Sequence, residues 1–250
     1  MAAAKGQPKQ IAVPVVDLCR SPDGARDRQV LMGEAVTQVQ DSNGWSLIQT
    51  DKDSYVGYLP SRTLAPRTTP THWVSALATH VYQASNLKTP DLNTLTFGSK
   101  VTVTANDAGF AQCAGGYVPQ VHLSEIGALQ RDPIKVAELF IGTPYLWGGN
   151  SRLGIDCSGL VQAALLACGV DCPGDSDQQE AALGTLQAPG TPPQRGDLLF
   201  WKGHVAMVVD PKTIIHATGH PMAVVFEPLE PATKRIKEQE GLDVSAHKRL

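Results

Sequence analysis

The stretch that decides the reading is Gly154-Ile155-Asp156-Cys157-Ser158-Gly159-Leu160-Val161, with its continuation to Cys168-Gly169. From Ser158 to Cys168 the residues Leu160, Val161, Ala164, Leu165 and Cys168 recur at helical spacings, and Gly169 supplies a stop. Cys157 therefore stands at the first turn of a central helix. Unpaired backbone N–H groups and the positive end of the helix dipole gather there, so the position predicts a thiol with a lowered pKa. An inert core cysteine is the alternative, and Cys168 has that mid-element setting.

A thiol nucleophile needs a base within reach and a group to orient the base. His204 opens the apolar run His204-Val205-Ala206-Met207-Val208-Val209, and His216 sits in Ile214-Ile215-His216-Ala217, with Asp210-Pro211-Lys212 between them reading as a hairpin turn. If paired residue numbers sum to 420 or 422, both imidazoles share a face; a sum of 421 separates them. Imidazoles in such apolar strands are costly unless hydrogen-bonded, which couples the two. The other histidines (His72, His80, His122, His220 and His247) read as satisfied structural residues. Zinc is a competing use of Cys and His, since Cys168-x3-Cys172 and His216-x3-His220 have tolerable spacing, but the paired short motifs of a structural site are missing. No metal and no cofactor is expected. Ser158 lacks the Gly-x-Ser-x-Gly elbow of a serine hydrolase, because Asp156 occupies the first glycine's place.

Around this helix the chain reads in three parts. Up to about residue 127, short β-prone pieces alternate with turns: Gln29 to Leu31, Ala35 to Gln40, Trp45 to Thr50 and Val56 to Leu59, broken at Gly33-Glu34, Ser42-Asn43-Gly44 and Asp51-Lys52-Asp53. Pro66 to Pro70 has linker composition, and similar pieces return in Val81 to Ala84, Lys100 to Thr104 and Phe110 to Cys113. Tyr55-Val56-Gly57-Tyr58-Leu59-Pro60-Ser61-Arg62-Thr63-Leu64 and Gly116-Tyr117-Val118-Pro119-Gln120-Val121-His122-Leu123 share an aromatic, a Val and then a Pro before a Leu, a weak repeat. From Asp132 the texture changes. Helices are expected at Pro133 to Ile141, Ser158 to Cys168 and Ser176 to Leu186, then strands at Asp197 to Trp201, His204 to Val209, Thr213 to Ala217 and Ala223 to Pro228. Helices first and an antiparallel sheet after them define an α+β class. The charged Glu230 to Leu250 tail reads as a peripheral helix or an extended strap.

Composition excludes several classes. The 250 residues are 42% hydrophobic and 18% charged, with a formal charge of −3, which describes a globular chain with no polyanion-binding surface. Nucleic acid is not an expected partner. No apolar run approaches the roughly 20 residues of a membrane helix, and Met1 to Gln10 lacks the apolar stretch of a secretory signal. A cytoplasmic location is the expectation, with an exported form whose leader has been removed as the alternative. Five scattered cysteines read as reduced thiols.

Taken together, Gly142-Thr143-Pro144-Tyr145-Leu146-Trp147-Gly148-Gly149, Asp156-Cys157-Ser158-Gly159-Leu160-Val161, Arg195-Gly196-Asp197-Leu198-Leu199-Phe200-Trp201, Gly203-His204-Val205-Ala206-Met207 and Ile215-His216-Ala217 resemble the NlpC-type cell-wall cysteine peptidases, which have a papain-like core. The end of the first β segment resembles bacterial SH3-like domains. The resemblance implies a papain-like catalytic domain at 129–250 preceded by two small all-β SH3-like barrels, at 1–66 (with the N-terminal segment) and 67–128. It is nearest to the γ-D-glutamyl-L-diamino acid endopeptidases of murein turnover and recycling. The implied substrate is a murein peptide with a free N-terminal L-Ala, cut between γ-D-Glu and meso-diaminopimelate or L-Lys.

By the same resemblance Cys157 is the nucleophile, His204 the general base and His216 its orienting group. Tyr145 would join the Cys157 backbone N–H in holding the oxyanion. Asp156, Ser158, Ser176, Glu34 and Tyr55 would bind substrate, the last two from the first SH3-like module. A free amine calls for carboxylates and oxygen acceptors, which suits Asp156. The chain departs from the family pattern at Pro173-Gly174-Asp175, where an Arg is common. Two other functions fit the same residues less fully: a papain-like amidase or acyltransferase on another substrate, and a non-catalytic peptidoglycan-binding adaptor.

Overall fold

The computed structural model describes residues 6–113 and 115–250. Met1 to Lys5, part of the segment read as lacking a signal, lie outside them. The chain divides into two compact units, one of residues 1–128 with Asn150–Arg152, the other of Leu129–Gly149 with Leu153–Leu250.

The first unit is all β. Strands β1 (Gln7–Ile11), β2 (Val15–Cys19), β3 (Arg26–Leu31), β4 (Ala35–Ser42), β5 (Trp45–Thr50), β6 (Val56–Pro60) and β7 (Leu64–Pro66) form one sheet in the order β3-β2-β6-β5-β4-β1-β7. Ser42 pairs with Trp45, so Asn43-Gly44 is a two-residue hairpin turn, and both of its residues have positive φ, as that turn requires. Inward residues Ile11, Leu18, Val30, Val36, Ile48 and Leu59 make the core. The three strands that the sequence reading omitted are short, and polar Gln7-Pro8-Lys9-Gln10 shows no apolar alternation; only Ile11 of β1 is buried.

Strands β8 (His72–Val74), β9 (Ala78–Tyr82), β10 (Asp91–Thr96), β11 (Lys100–Val101), β12 (Ala105–Asp107), β13 (Phe110–Cys113), β14 (Gly116–Pro119) and β15 (Leu123–Glu125) form two further sheets, β10-β9-β14-β13-β12 and β11-β8-β15, around Val74, Val81, Leu95, Val101, Cys113 and Val118. None of the three strand orders closes on itself, so among the described residues neither half is a closed barrel. The expected strand to Thr104 stops at Val101, because the Val103 N–H is taken by the Thr71 hydroxyl rather than by a neighbouring strand. The weak repeat has a structural counterpart. β6 ends at Pro60, one 3-10 turn covers Ser61–Thr63 and β7 begins at Leu64; β14 ends at Pro119, a 3-10 turn covers Gln120–His122 and β15 begins at Leu123. The short β16 (Asn150–Ser151) groups with this unit, where the Asn150 side chain exchanges hydrogen bonds with Gln29 and Arg28.

The second unit is α+β. Helix α1 (Pro133–Glu138) starts with Asp132 accepting the Ile134 and Lys135 N–H groups. It ends three residues before the expected Ile141, as Leu139, Phe140 and Ile141 turn to i−3 carbonyls, a tightened final turn. After β17 (Gly154–Ile155) comes α2 (Cys157–Ala167), closed by Cys168 and by Gly169 at φ 78°. Helix α3 (Ser176–Ala182) ends four residues short of expectation, since Gly184 takes a positive φ and Thr185–Leu186 becomes strand β18.

Strands β19 (Leu198–Trp201), β20 (His204–Asp210), β21 (Thr213–Thr218) and β22 (Ala223–Pro228) follow, then α4 (Leu229–Glu240) and β23 (Ala246–Arg249), with sheet order β18-β23-β19-β20-β21-β22. The tail thus begins as the expected helix, but its end is a strand of the sheet and no strap. Ala232 and Ile236 of α4 pack on Leu199, Trp201, Ala206, Val208 and Ile214, and β23 fills an interior place in the sheet. Strands β19 to β21 are buried on both faces, which is why they read as continuous apolar runs.

Candidate active site

Asp156 is the N-cap of α2. One carboxylate oxygen accepts the Gly159 N–H at 2.6 Å and the Ser158 hydroxyl at 3.2 Å, and the other accepts the Gly148 N–H at 2.9 Å. A cap of this kind stabilises a helix by about 1 kcal/mol, and it holds the residue that follows at the helix mouth. Cys157 is that residue, 6% exposed, with its sulfur against the backbone N–H of Val205 at the start of β20.

The helix mouth alone predicts a lowered thiol pKa. In the folded chain burial, and after it the Asp156 carboxylate, push the thiol up to about 12 despite N–H groups of Val205, Ser158 and Cys157 itself. Desolvation outweighs the helix end, and the resting group is a thiol.

The register of the hairpin settles the histidine pair. Met207 lies opposite Ile215 and Val208 opposite Ile214, pairs that sum to 422, so His204 and His216 share a face two places apart. His204 Nε2 is 2.9 Å from His216 Nδ1. The other ring nitrogen of His204, Nδ1, takes no part in that contact. Burial, then His216 and Arg235, pull the His204 pKa down to about 3, with Glu227 opposing them, so the resting imidazole is neutral.

Two residues of the site had not been read from the sequence. His216 Nε2 is 2.9 Å from Glu227 Oε2, and the Arg235 guanidinium clasps both carboxylate oxygens of Glu227 at 2.7–3.1 Å. The bond from His216, opposed by burial and reinforced by Arg235, holds the Glu227 carboxyl down to about 2. The available signal was a lone acid in the strand Ala223-Val224-Val225-Phe226-Glu227-Pro228: Val225 lies opposite His216, so Glu227 falls diagonally beside it on the same face.

The other expected residues are placed as follows. Tyr145 is half-buried; burial first, then the nearby Cys157 and Asp156, raise its hydroxyl pKa, which keeps it a hydrogen-bond donor. Ser158 is buried in the first turn of α2, and Ser176 opens α3 half-buried. The loop before Ser176 has an anchor of its own: Gln179, fully buried, donates to the carbonyls of Ser158 and Pro173 at 2.9 Å each. Glu34 and Tyr55 belong to the other unit. Glu34 is 5% exposed with one oxygen 2.9 Å from Lys52 and the other, Oε2, buried without a hydrogen-bond partner; the Tyr55 ring lies under Arg28 at 5.4 Å.

All five cysteines are free thiols. Among the described residues no group of three or more His, Cys, Asp or Glu is arranged to hold a metal ion. A thiol at a capped helix mouth, together with an oriented, neutral imidazole, is the pair of groups that acyl transfer through a thioester requires, the chemistry of cysteine hydrolases.

Residues 142–236 match the NlpC/P60 family and residues 18–64 the bacterial dipeptidyl-peptidase Sh3 domain. Over those residues the chain is similar to the NlpC/P60 family and, before it in the sequence, to the bacterial SH3 domain. It is 39% identical over 97 residues to dipeptidyl-peptidase 6 of Lysinibacillus sphaericus, covering 39% of this chain and 35% of that one. It is 29% identical over 223 residues to the gamma-D-glutamyl-L-lysine dipeptidyl-peptidase of Bacillus subtilis, covering 78% and 73%. The crystal structure of an NlpC/P60 family protein from Bacillus cereus superposes with a TM-score of 0.81 at 20% identity, over 97% of this chain and 99% of that one, which establishes a shared fold.

Proposed function

We propose that the protein is a cysteine endopeptidase of murein peptides, cleaving between γ-D-Glu and the diamino acid of a substrate with a free N-terminal L-Ala. The observation that carries this is the 2.9 Å contact between His204 and His216, itself held by Glu227, in a chain that sets Cys157 at the capped mouth of α2. The name of the Bacillus subtilis relative, a gamma-D-glutamyl-L-lysine dipeptidyl-peptidase, supports the substrate class.

The tautomers follow from the bonds. Glu227 is ionised and only accepts, so His216 donates Nε2–H to it; in that tautomer His216 Nδ1 accepts from His204 Nε2–H, which gives His204 Nδ1 a lone pair. With both partners neutral at rest, the thiol proton passes to Nδ1 as sulfur attacks the γ-carbonyl. The imidazolium returns it to the nitrogen of the departing diamino acid as the tetrahedral intermediate collapses to a thioester. Water, deprotonated by the same nitrogen, then releases L-Ala-γ-D-Glu. The Cys157 N–H and the Tyr145 hydroxyl hold the oxyanion. Asp156 and Ser158, with Ser176, bind the free amine end. Glu227 and Arg235 act through His216 as positioning residues.

The repeated Pro, 3-10 turn and Leu at Pro119 to Leu123 supports a second SH3-like module over 67–128, after a first at 1–66 and before the catalytic domain at 129–250. Mass spectrometry of a free murein tripeptide incubated with the protein tests the proposal: L-Ala-γ-D-Glu and the free diamino acid are expected, and neither with Cys157→Ala. Equal turnover of the N-acetylated peptide would instead point to an amidase of another specificity.

A further inference from the structure

A cavity of about 500 Å³ opens beside the histidine pair. Its walls include Tyr145, Trp147, Lys202, His204, His220 and Glu240. Asp156, Ser158 and Ser176, given above to the free amine, are absent from them. Two groups of the reaction itself, Tyr145 and His204, face it. Because His204 hands its proton to the departing nitrogen, the leaving group lies on the His204 side of the scissile carbonyl. The cavity occupies that side.

Its charges are laid out in a way the fold does not need. Trp201 pairs with His204, so Lys202-Gly203 is a two-residue turn, with Gly203 at φ 81°, that holds the lysine one turn away from the reacting imidazole. Lys202 is exposed and forms no ion pair among the described residues. Glu240 is the last residue of α4, immediately before the left-handed Gly241. An anion there faces the negative end of the helix dipole, an unfavourable placement by a few tenths of a kcal/mol to about 1 kcal/mol. It too has no ion-pair partner among the described residues. Arg235, the remaining cation of the wall, is already committed to Glu227. The cavity thus offers one uncommitted cation and one uncommitted anion, the latter kept against a local rule, which is the usual mark of a site under functional constraint.

We propose that this cavity is the subsite for the diamino acid, with Glu240 receiving its side-chain ammonium and Lys202 a carboxylate carried at the same end of that side chain. The inference rests on the proposed reaction and extends it to a preference. meso-Diaminopimelate carries both groups at that end and satisfies both residues, whereas L-Lys carries the ammonium alone. The protein therefore prefers the meso-diaminopimelate peptide.

The test compares kcat/KM for three tetrapeptides that differ only in the third residue: meso-diaminopimelate, L-Lys and uncharged L-norleucine. The following D-Ala caps the α-carboxylate in all three. In the unaltered protein the expected order is meso-diaminopimelate, then L-Lys, then norleucine. Lys202→Glu lowers the meso-diaminopimelate to L-Lys ratio at least tenfold. Glu240→Gln lowers the L-Lys to norleucine ratio at least fivefold. Both changes appear in KM, and both lie on exposed side chains, so thermal melting checks that each variant is folded. Ratios unchanged in either folded variant, or equal turnover of the three peptides, overturn the subsite while leaving the peptidase reading intact. An unaltered protein that cleaves none of them, and no murein tripeptide, overturns the peptidase reading itself.

Discussion

At Cys157 two effects of opposite sign meet, and burial is the larger. The thiol is pushed up to about 12 and His204 down to about 3, so neither is charged near neutrality. A preformed thiolate–imidazolium pair would give an alkylation rate that levels off between about pH 5 and pH 8. Here the rate constant of Cys157 with iodoacetamide is expected to climb steadily with pH through 9, and a plateau in the neutral range would refute the neutral pair. A second residue-scale expectation concerns Glu227. Glu227→Gln keeps an acceptor but removes the charge that fixes the His216 tautomer, so kcat should fall about 10- to 100-fold, the range for a lost hydrogen bond to a charged group, with KM little changed. An equal fall in Glu227→Asp and Glu227→Gln, or a change confined to KM, would count against a positioning role. Cys157, His204 and His216 could be read from the chain because each lies in a run whose period shows its element. Glu227 and Arg235 could not, because their roles depend on which strand and helix lie beside β21, and neither bears a local mark of function.

At the scale of elements, the loops that bring strands together are the most sensitive places. Gly33 has φ 75°, and a Cβ built there would lie 2.1 Å from the Lys100 carbonyl oxygen, next to the backbone bond from Lys100 to Met32. Gly33→Ala meets both a disfavoured φ and a backbone clash, and should cost the first unit about 2 kcal/mol or more in urea unfolding. A loss below about 0.5 kcal/mol would show that the two strands separate without penalty. Element types were legible for α1 to α3, from their 3.6-residue period, and for β19 to β22, from short apolar runs bounded by turn residues, but not for β17, β18 and β23. Element ends were not legible. α1 and α3 both stop early, α1 through i−3 hydrogen bonding and α3 because Thr185–Leu186 is claimed by β23, a strand more than 60 residues away in sequence.

For the molecule as a whole, acid stability follows from two carboxylates. Burial alone would raise Asp197, but hydrogen bonds from Arg249 and His247 on β23 hold it at about 2; Glu227 is held at about 2 by His216 and Arg235. Both folded pKa values lie below the unfolded ones. Each group's stabilisation is therefore complete above about pH 5 and is lost as pH falls towards 2, about 2–3 kcal/mol apiece. Urea midpoints measured from pH 7 to pH 3 should drop, and Asp197→Asn should lower the pH 7 value while flattening the slope. A slope unchanged in that variant would mean that Asp197 does not tie down the C-terminal strand.

Hydrophobic period, capping residues and turn chemistry are properties of neighbours along the chain, and they alone determined the β-rich first half, the helix bearing Cys157 and the hairpin carrying His204 and His216. Tertiary structure decided the rest: the interior place of β23, the Glu227–Arg235 clasp and the rise of the thiol pKa. These depend on which distant segments exclude water from a given atom, and desolvation is set by everything that packs around a group.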